Sequence, residues 1–275
     1  MSWMRYMTLY SFRILNPDWE VVLFLSRNNV HSKTWKDSPT QDFYNYKGED
    51  YLGMVEDLGI TILRWELLNE FVDMDASKVG PSHKSNFFKW QKMAICSGFY
   101  CDLDVLFVRP FDSLYLECSH SDVLIAHHNY WSIGLLGSSG ENRFFEDLYK
   151  HTFEIYTEEA YQSAGVHSVD SWCDILKKDE EIDKRENLNV VKNHYCDLQF
   201  YNLEMSRIYP WRYNQMEHVF AQQHTRVPQD CIGIHWYAGD LTSQRYNNIM
   251  EESNLKKFTN TYSYFAQKLL KKGRI

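Results

Sequence analysis

Basic residues are in the minority in this 275-residue chain, where 29 Lys and Arg face 37 Asp and Glu for a formal net charge of −8. That leaves no electrostatic footprint for a nucleic-acid partner. Glycine (12) and proline (6) are too sparse for a fibrous or disordered chain. No apolar run approaches the roughly 18 residues of a membrane span. The opening MSWMRYMTLY has neither the basic start nor the apolar core of a secretory signal. The cysteines, at positions 96, 101, 118, 173, 196 and 231, show no C-x-x-C spacing, so reduced thiols are expected rather than a zinc site or a disulfide framework. A soluble, cytoplasmic globular protein is the expectation.

What is present is apolar and aromatic: 44% hydrophobic and 16% aromatic residues suit one large α/β domain or two small ones. Residues 2–15 place Trp3, Tyr6, Met7, Tyr10 and Ile14 on one helical face, and NPD at 16–18 then turns the chain. WEVVLFL (19–25) predicts a buried strand, and the polar, aperiodic stretch 26–50 a surface excursion. A helix–strand step is expected around 50–65, followed by a helix over 84–96 capped by Ser85 and closed by Ser97-Gly98. Strands are expected at 98–112, 122–126, 133–137 and 231–236, with a helix over 142–156. The charge run KKDEEIDKREN (177–187) predicts a solvated face. Residues 251–275 predict an amphipathic C-terminal helix with Leu255, Phe258, Tyr262, Phe265 and Leu269 on one side. Its lysines could suit a membrane surface, so peripheral membrane contact stays open, although packing back on the domain is the favoured use. With no repeat or linker, the order of elements predicts one α/β domain over 1–275 with a mostly parallel central sheet.

One stretch carries chemistry. GFYCDLDVLFVRPFD (98–112) sets Asp102 and Asp104 in an otherwise apolar segment, where uncompensated charge is costly. In an extended chain the two carboxylates share a face. They repel unless a cation lies between them, and such oxygen ligands favour Mg²⁺ or Mn²⁺.

The segment SNFFKWQKMAICSGFYCDLDVLFVRPFDSL resembles the DXD-motif sugar transferases of glycosyltransferase family 32, with their capsular- and toxin-type relatives and the wider retaining GT-A group. Gly98, Tyr100, Asp102, Asp104, Arg109, Pro110 and Asp112 match that pattern. The likeness is closest over 84–114, looser over 2–25 and 206–244, and limited to the order of elements over 115–205. It implies a GT-A fold and a metal-dependent glycosyltransferase of hexosyltransferase type. Such an enzyme would move a sugar from a UDP- or GDP-sugar to a glycan or other hydroxyl acceptor, with retention. On this resemblance Asp104 is a direct metal ligand. Asp102 binds the metal, directly or through water, and also the donor ribose. His235, in IGIHWYAG, returns to the metal as a neutral imidazole. Tyr100 lies on the donor side, and Gly239 and Ser243 would contact phosphate. His127-His128 has no partner at metal spacing and is assigned a structural role.

The chain departs from that pattern at Asn86 and Lys89, where relatives carry aspartate and arginine toward the donor. Lysine keeps the charge and loses the bidentate fork. Relatives also begin with a strand that cradles the base, and this sequence opens on the following helix, so the usual first strand is expected to be missing. Asn129, Trp131, Gln162 and Asp170 are expected on the acceptor side, from their polarity or aromaticity beside IGLLG and QSAG. Two other functions fit parts of the sequence. One is a non-catalytic nucleotide-sugar or carbohydrate-binding protein, for which 9 tryptophans and 19 tyrosines offer stacking surfaces. The other is a haloacid-dehalogenase-type phosphatase, which needs a downstream acidic pair that GDLTSQR lacks, Arg245 standing where the acid should be.

Overall fold

The computed structural model describes residues 1–27, 46–67, 79–178 and 180–274. Helix α1 (Trp3–Leu15) is capped by Ser2, whose hydroxyl accepts from the Arg5 N–H. Strand β1 (Val22–Ser26) pairs in parallel with β2 (Thr61–Trp65), which follows two short 3₁₀ turns where a helix was expected. The surface excursion expected over 26–50 falls for the most part outside the described residues.

Helix α2 (Pro81–Ile95) starts earlier than the sequence suggested. Pro81 occupies its first turn with its fixed φ and Gly80 is the cap. Ser85, expected to cap, instead sits inside the helix and shares a hydrogen bond of 2.9 Å with the Tyr100 hydroxyl. The helix ends at Cys96, so Gly98 is not its cap. Gly98 lies within β3 (Ser97–Cys101) at φ 129°, a conformation that favours glycine.

The chain then crosses a turn into β4 (Val105–Phe107), followed by α3 (Asp112–Cys118), β5 (Val123–His127), β6 (Trp131–Ser139) and α4 (Arg143–Ile155), the last capped by Asn142. Next come α5 (Val166–Lys177), α6 (Asn187–His194), β7 (Phe200–Asn202), α7 (Glu217–Phe220), β8 (Gly233–His235), α8 (Leu241–Ile249) and α9 (Thr261–Lys272). The C-terminal helix is thus shorter than expected, because residues 252–257 form a 3₁₀ turn. Its apolar face is used internally: Tyr262 packs on Trp3 and Phe220 and donates its hydroxyl to the Met4 carbonyl. Among the described residues no helix is long and apolar enough to cross a membrane.

The architecture is mixed α/β, with strand order β3-β6-β5-β7 in the four-stranded sheet. Among the described residues, parallel pairing is confined to β1–β2 and β5–β7, while β3–β6, β5–β6 and β4–β8 are antiparallel. The expected mostly parallel arrangement therefore does not describe this four-stranded sheet. The reason is local: β5 and β6 are joined by a short hairpin at His128–Tyr130 rather than by a crossover helix.

Strand β4 is held from both edges. β8 pairs with one edge at Val105↔His235, Leu106↔Ile234 and Phe107↔Gly233. On the other edge, the Phe107 N–H donates to Ser11 Oγ at 3.0 Å, and that hydroxyl donates to the Thr8 carbonyl. Ser11 is fully buried, so losing its oxygen strands a backbone donor away from water. Ser11→Ala is expected to destabilise the fold by about 1–3 kcal/mol, read from urea unfolding midpoints. An unchanged midpoint would show that α1 does not fasten β4.

Candidate metal and donor site

Asp102, Leu103 and Asp104 form the turn between β3 and β4, not the continuous strand that alternation suggested. They hand the chain from one sheet to another. The Asp102 N–H still donates to the Gly134 carbonyl of β6 at 2.8 Å, while the Asp104 carbonyl already accepts from Trp236 N–H beyond β8 at 2.8 Å. From α1, Thr8 Oγ1 donates to the Leu103 carbonyl at 3.1 Å, so the turn is fastened in the middle as well.

The pairing of β4 with β8 brings His235 to Asp104 across nearly half the chain. Carboxylate oxygens of Asp102 and Asp104 and a ring nitrogen of His235 all lie within 4.8 Å of one another, close enough to hold one metal ion. Asp104 Oδ2 accepts from the Ala238 N–H at 2.8 Å. Its Oδ1 lies 3.1 Å from His235 Nε2 without the alignment of a hydrogen bond, and is left buried without a hydrogen-bond partner. A buried acceptor turned toward an imidazole nitrogen and a second carboxylate fits a divalent cation, and two oxygens with one nitrogen suit Mn²⁺ or Mg²⁺. Burial alone would raise the Asp104 carboxyl. The ring of His235 beside it, the Ala238 N–H and Arg5 outweigh burial and hold it below the usual carboxylate range. Asp104 is thus a carboxylate, the form a metal needs.

Asp102 is held differently. Its Oδ1 accepts from Lys89 Nζ at 3.3 Å and from the Tyr100 hydroxyl. Lys89 is 2% exposed, and its ammonium also donates to the Ile133 carbonyl at 3.2 Å and lies 4.9 Å from the centre of the Tyr100 ring. The positive charge expected to face the donor is therefore spent on positioning Asp102.

Burial pushes the hydroxyls of Tyr100, Tyr161, Tyr209 and Tyr237 upward, and the carboxylates push them further, Asp102 for Tyr100 and Tyr209, Asp104 for Tyr237 and both for Tyr161. The turn is walled by neutral phenols that lower its polarity without supplying positive charge. His235 is flanked by the rings of Tyr209 and Tyr237, 5.2 and 4.1 Å away between centroids.

These residues line one groove of about 2100 Å³. Asn86, Lys89, Tyr100, Trp131, Gln162 and Gly239 all border it. Others do not line it. Ser243 is fully buried in α8 and donates its hydroxyl to the Trp236 carbonyl, so no hydroxyl remains for phosphate. Asn129 is exposed in the β5–β6 hairpin, and Asp170 is half-buried in α5; neither borders the groove. Asp240 caps α8 by accepting from the Thr242 and Ser243 N–H groups, so GDLTSQR contributes no acid to the cluster, contrary to the needs of a phosphatase. The segment 236–243 is held by the Ala238 N–H on Asp104 and by the Ser243 hydroxyl on the Trp236 carbonyl.

Sequence reasoning missed Arg5 and Gly134. Arg5 lines the groove from α1, but its charge looked like ordinary helix-surface polarity. Gly134 hides no chemistry of its own. A Cβ there would come within 2.9 Å of His235 Nε2 and 3.1 Å of the Tyr209 hydroxyl, so its bare backbone makes room for the imidazole.

Comparison with protein-family models and with curated proteins finds no match. Among solved structures, the chain is similar to the glycosyltransferase GlyE of Streptococcus pneumoniae TIGR4, with a TM-score of 0.44 and 10% identity over 98% of this chain and 61% of that chain. The chain thus spans about 61% of the length of that structure.

The glycine at 134 yields a direct test. Gly134→Ala is expected to displace His235 and weaken Mn²⁺ binding about tenfold, as losing one of three ligands' geometry would, while Asp102 and Asp104 keep residual affinity. Titration of Mn²⁺ by water-proton relaxation reads this. Unchanged affinity would remove His235 from the ligand set.

Proposed function

We propose that this protein is a metal-dependent glycosyltransferase of GT-A type that transfers a sugar, a hexose on the family resemblance, from a nucleoside-diphosphate donor to a hydroxyl acceptor with retention. The observation that carries the reading is the Asp102–Asp104–His235 cluster at the turn between two sheets, with a buried carboxylate oxygen left unpartnered in a large polar and aromatic groove. Bound by these three residues, Mn²⁺ or Mg²⁺ would neutralise the charge that builds on the departing diphosphate.

The chain's own residues do the rest. Asp104 is fixed by the Ala238 N–H, and Asp102 by Lys89 and Tyr100, so both carboxylates are oriented before a ligand arrives. Asn86, 9% exposed on α2, and Gln162 approach each other across Gly165, where a Cβ would lie 2.8 Å from one amide and 2.9 Å from the other. The two amides offer donors and acceptors to sugar hydroxyls. Trp131, its ring buried against His127, borders the same groove on the side assigned to the acceptor. In the transfer, the acceptor oxygen bonds to the anomeric carbon as the bond to the β-phosphate oxygen breaks. The electron pair leaves with the diphosphate, which takes the acceptor proton.

A panel of UDP- and GDP-sugars with Mn²⁺ tests this reading. Release of nucleoside diphosphate, with or without acceptor, is the expected outcome. Asp104→Asn should cut it by about two orders of magnitude or more, the several kcal/mol that a Lewis acid supplies, with an unchanged melting temperature. Saturable donor binding without turnover would identify a binding protein, and turnover of simple phosphate esters a phosphatase. Full activity of Asp104→Asn at saturating Mn²⁺ would end the metal reading.

A further inference from the structure

A diphosphate leaving group carries more negative charge than one divalent ion offsets, so a transferase groove needs a second cation near the metal ligands. The residue at the expected position, Lys89, is consumed: its ammonium is committed to Asp102 and the Ile133 carbonyl and is buried. Other basic groups along the groove are placed less well. Lys92 lies 5.5 Å from the centre of the Phe24 ring, Arg212 lies over Tyr130, and Lys84 is 4% exposed. Arg64 sits on the exposed side of β2.

Helix α1 supplies a better candidate. Arg5, Thr8, Leu9 and Phe12 follow one another at helical spacing and all line the groove. Thr8 in that stripe is bonded to Leu103, the residue between the two aspartates. Arg5 is one turn toward the helix N-terminus on the same face, bordering the groove with Asp104, Ala238 and Gly239. Its side chain is half-buried and borders the open groove, where a ligand can meet it. A guanidinium presents five N–H donors in a planar fork that matches phosphate oxygens in pairs.

We propose that Arg5 is the diphosphate-binding cation of this groove, taking from α1 the role that the inward-turned Lys89 has given up; this rests on the transferase reading above. The class of ligand assigned is a nucleoside diphosphate or its pyrophosphate moiety. The backbone N–H of Arg5 alone serves the helix cap with Ser2, so changing its side chain leaves α1 capped.

The test is binding by calorimetry to the full chain, with inorganic pyrophosphate and UDP as probes, each with and without Mn²⁺, alongside Mn²⁺ alone. Arg5→Met and Arg5→Gln are compared with wild type and with Arg226→Met, an exposed control outside the groove. Both Arg5 variants are expected to bind Mn²⁺ as wild type does and to lose about tenfold or more in pyrophosphate and UDP affinity. Arg5→Lys should recover part, keeping charge without the fork. Using two neutral variants keeps a folding defect in one from deciding the matter. Unchanged pyrophosphate affinity in the Arg5 variants, an equal loss of Mn²⁺ affinity, or no pyrophosphate binding by wild type would each overturn the proposal. Arg5-dependent pyrophosphate binding by a wild type that takes up no Mn²⁺ would support it while removing the metal reading.

Discussion

The pairing of β4 with β8 is the constraint on which the candidate site depends. Three residues of each strand are paired, and their register sets His235 opposite Val105, one residue beyond Asp104. Neither strand is long enough to be stable alone. β4 is secured because α1 closes its free edge through Ser11 and fastens the preceding turn through Thr8. The apolar side chains of Leu106, Ile234 and Trp236 then bury this join in the same cluster as Trp3, Met4 and Tyr262. The cost of holding two carboxylates close together is thus met by a core that spans both ends of the chain.

Electrostatics explain why the two aspartates differ. Asp102 has a fixed countercharge in Lys89, while Asp104 is satisfied on one oxygen only. A carboxylate already paired with an ammonium gains less from a metal ion than a buried oxygen without a hydrogen-bond partner does. The neutral tyrosines around them keep the local polarity low, which strengthens attraction for whatever cation enters. Asp104 and His235 form the more demanding half of the cluster, and Asp102 the preorganised half.

Much of this was legible in the sequence where periodicity was long. Helices α1 and α4 have clear apolar faces and side-chain caps, and both were expected close to their observed limits. The meeting of Asp102, Asp104 and His235 was expected from the D-x-D spacing and from the resemblance that linked it to His235. Short elements were harder. A three-residue strand has no period to read, so β3, the turn and β4 looked like one strand. Direction of pairing was also hidden, because the β5–β6 hairpin lacks the usual Asn-Gly or Asp-Gly signal. Ser243 shows how a polar residue near a motif misleads: its hydroxyl ties α8 to the Trp236 carbonyl beyond β8, which a linear reading cannot distinguish from a ligand contact. Arg5 was missed for the opposite reason, since a charge on a helix gives no sign of which face meets a groove.

The central claim is that one divalent ion is held by residues from both the β3–β4 turn and β8. Pulsed electron paramagnetic resonance on Mn²⁺-loaded protein, with imidazole-¹⁵N-labelled histidine, measures this directly. The expected result is coupling from a single imidazole nitrogen that vanishes in His235→Ala while bound Mn²⁺ remains detectable. Mn²⁺ that binds with no histidine coupling, or with coupling that persists in His235→Ala, would contradict the claim.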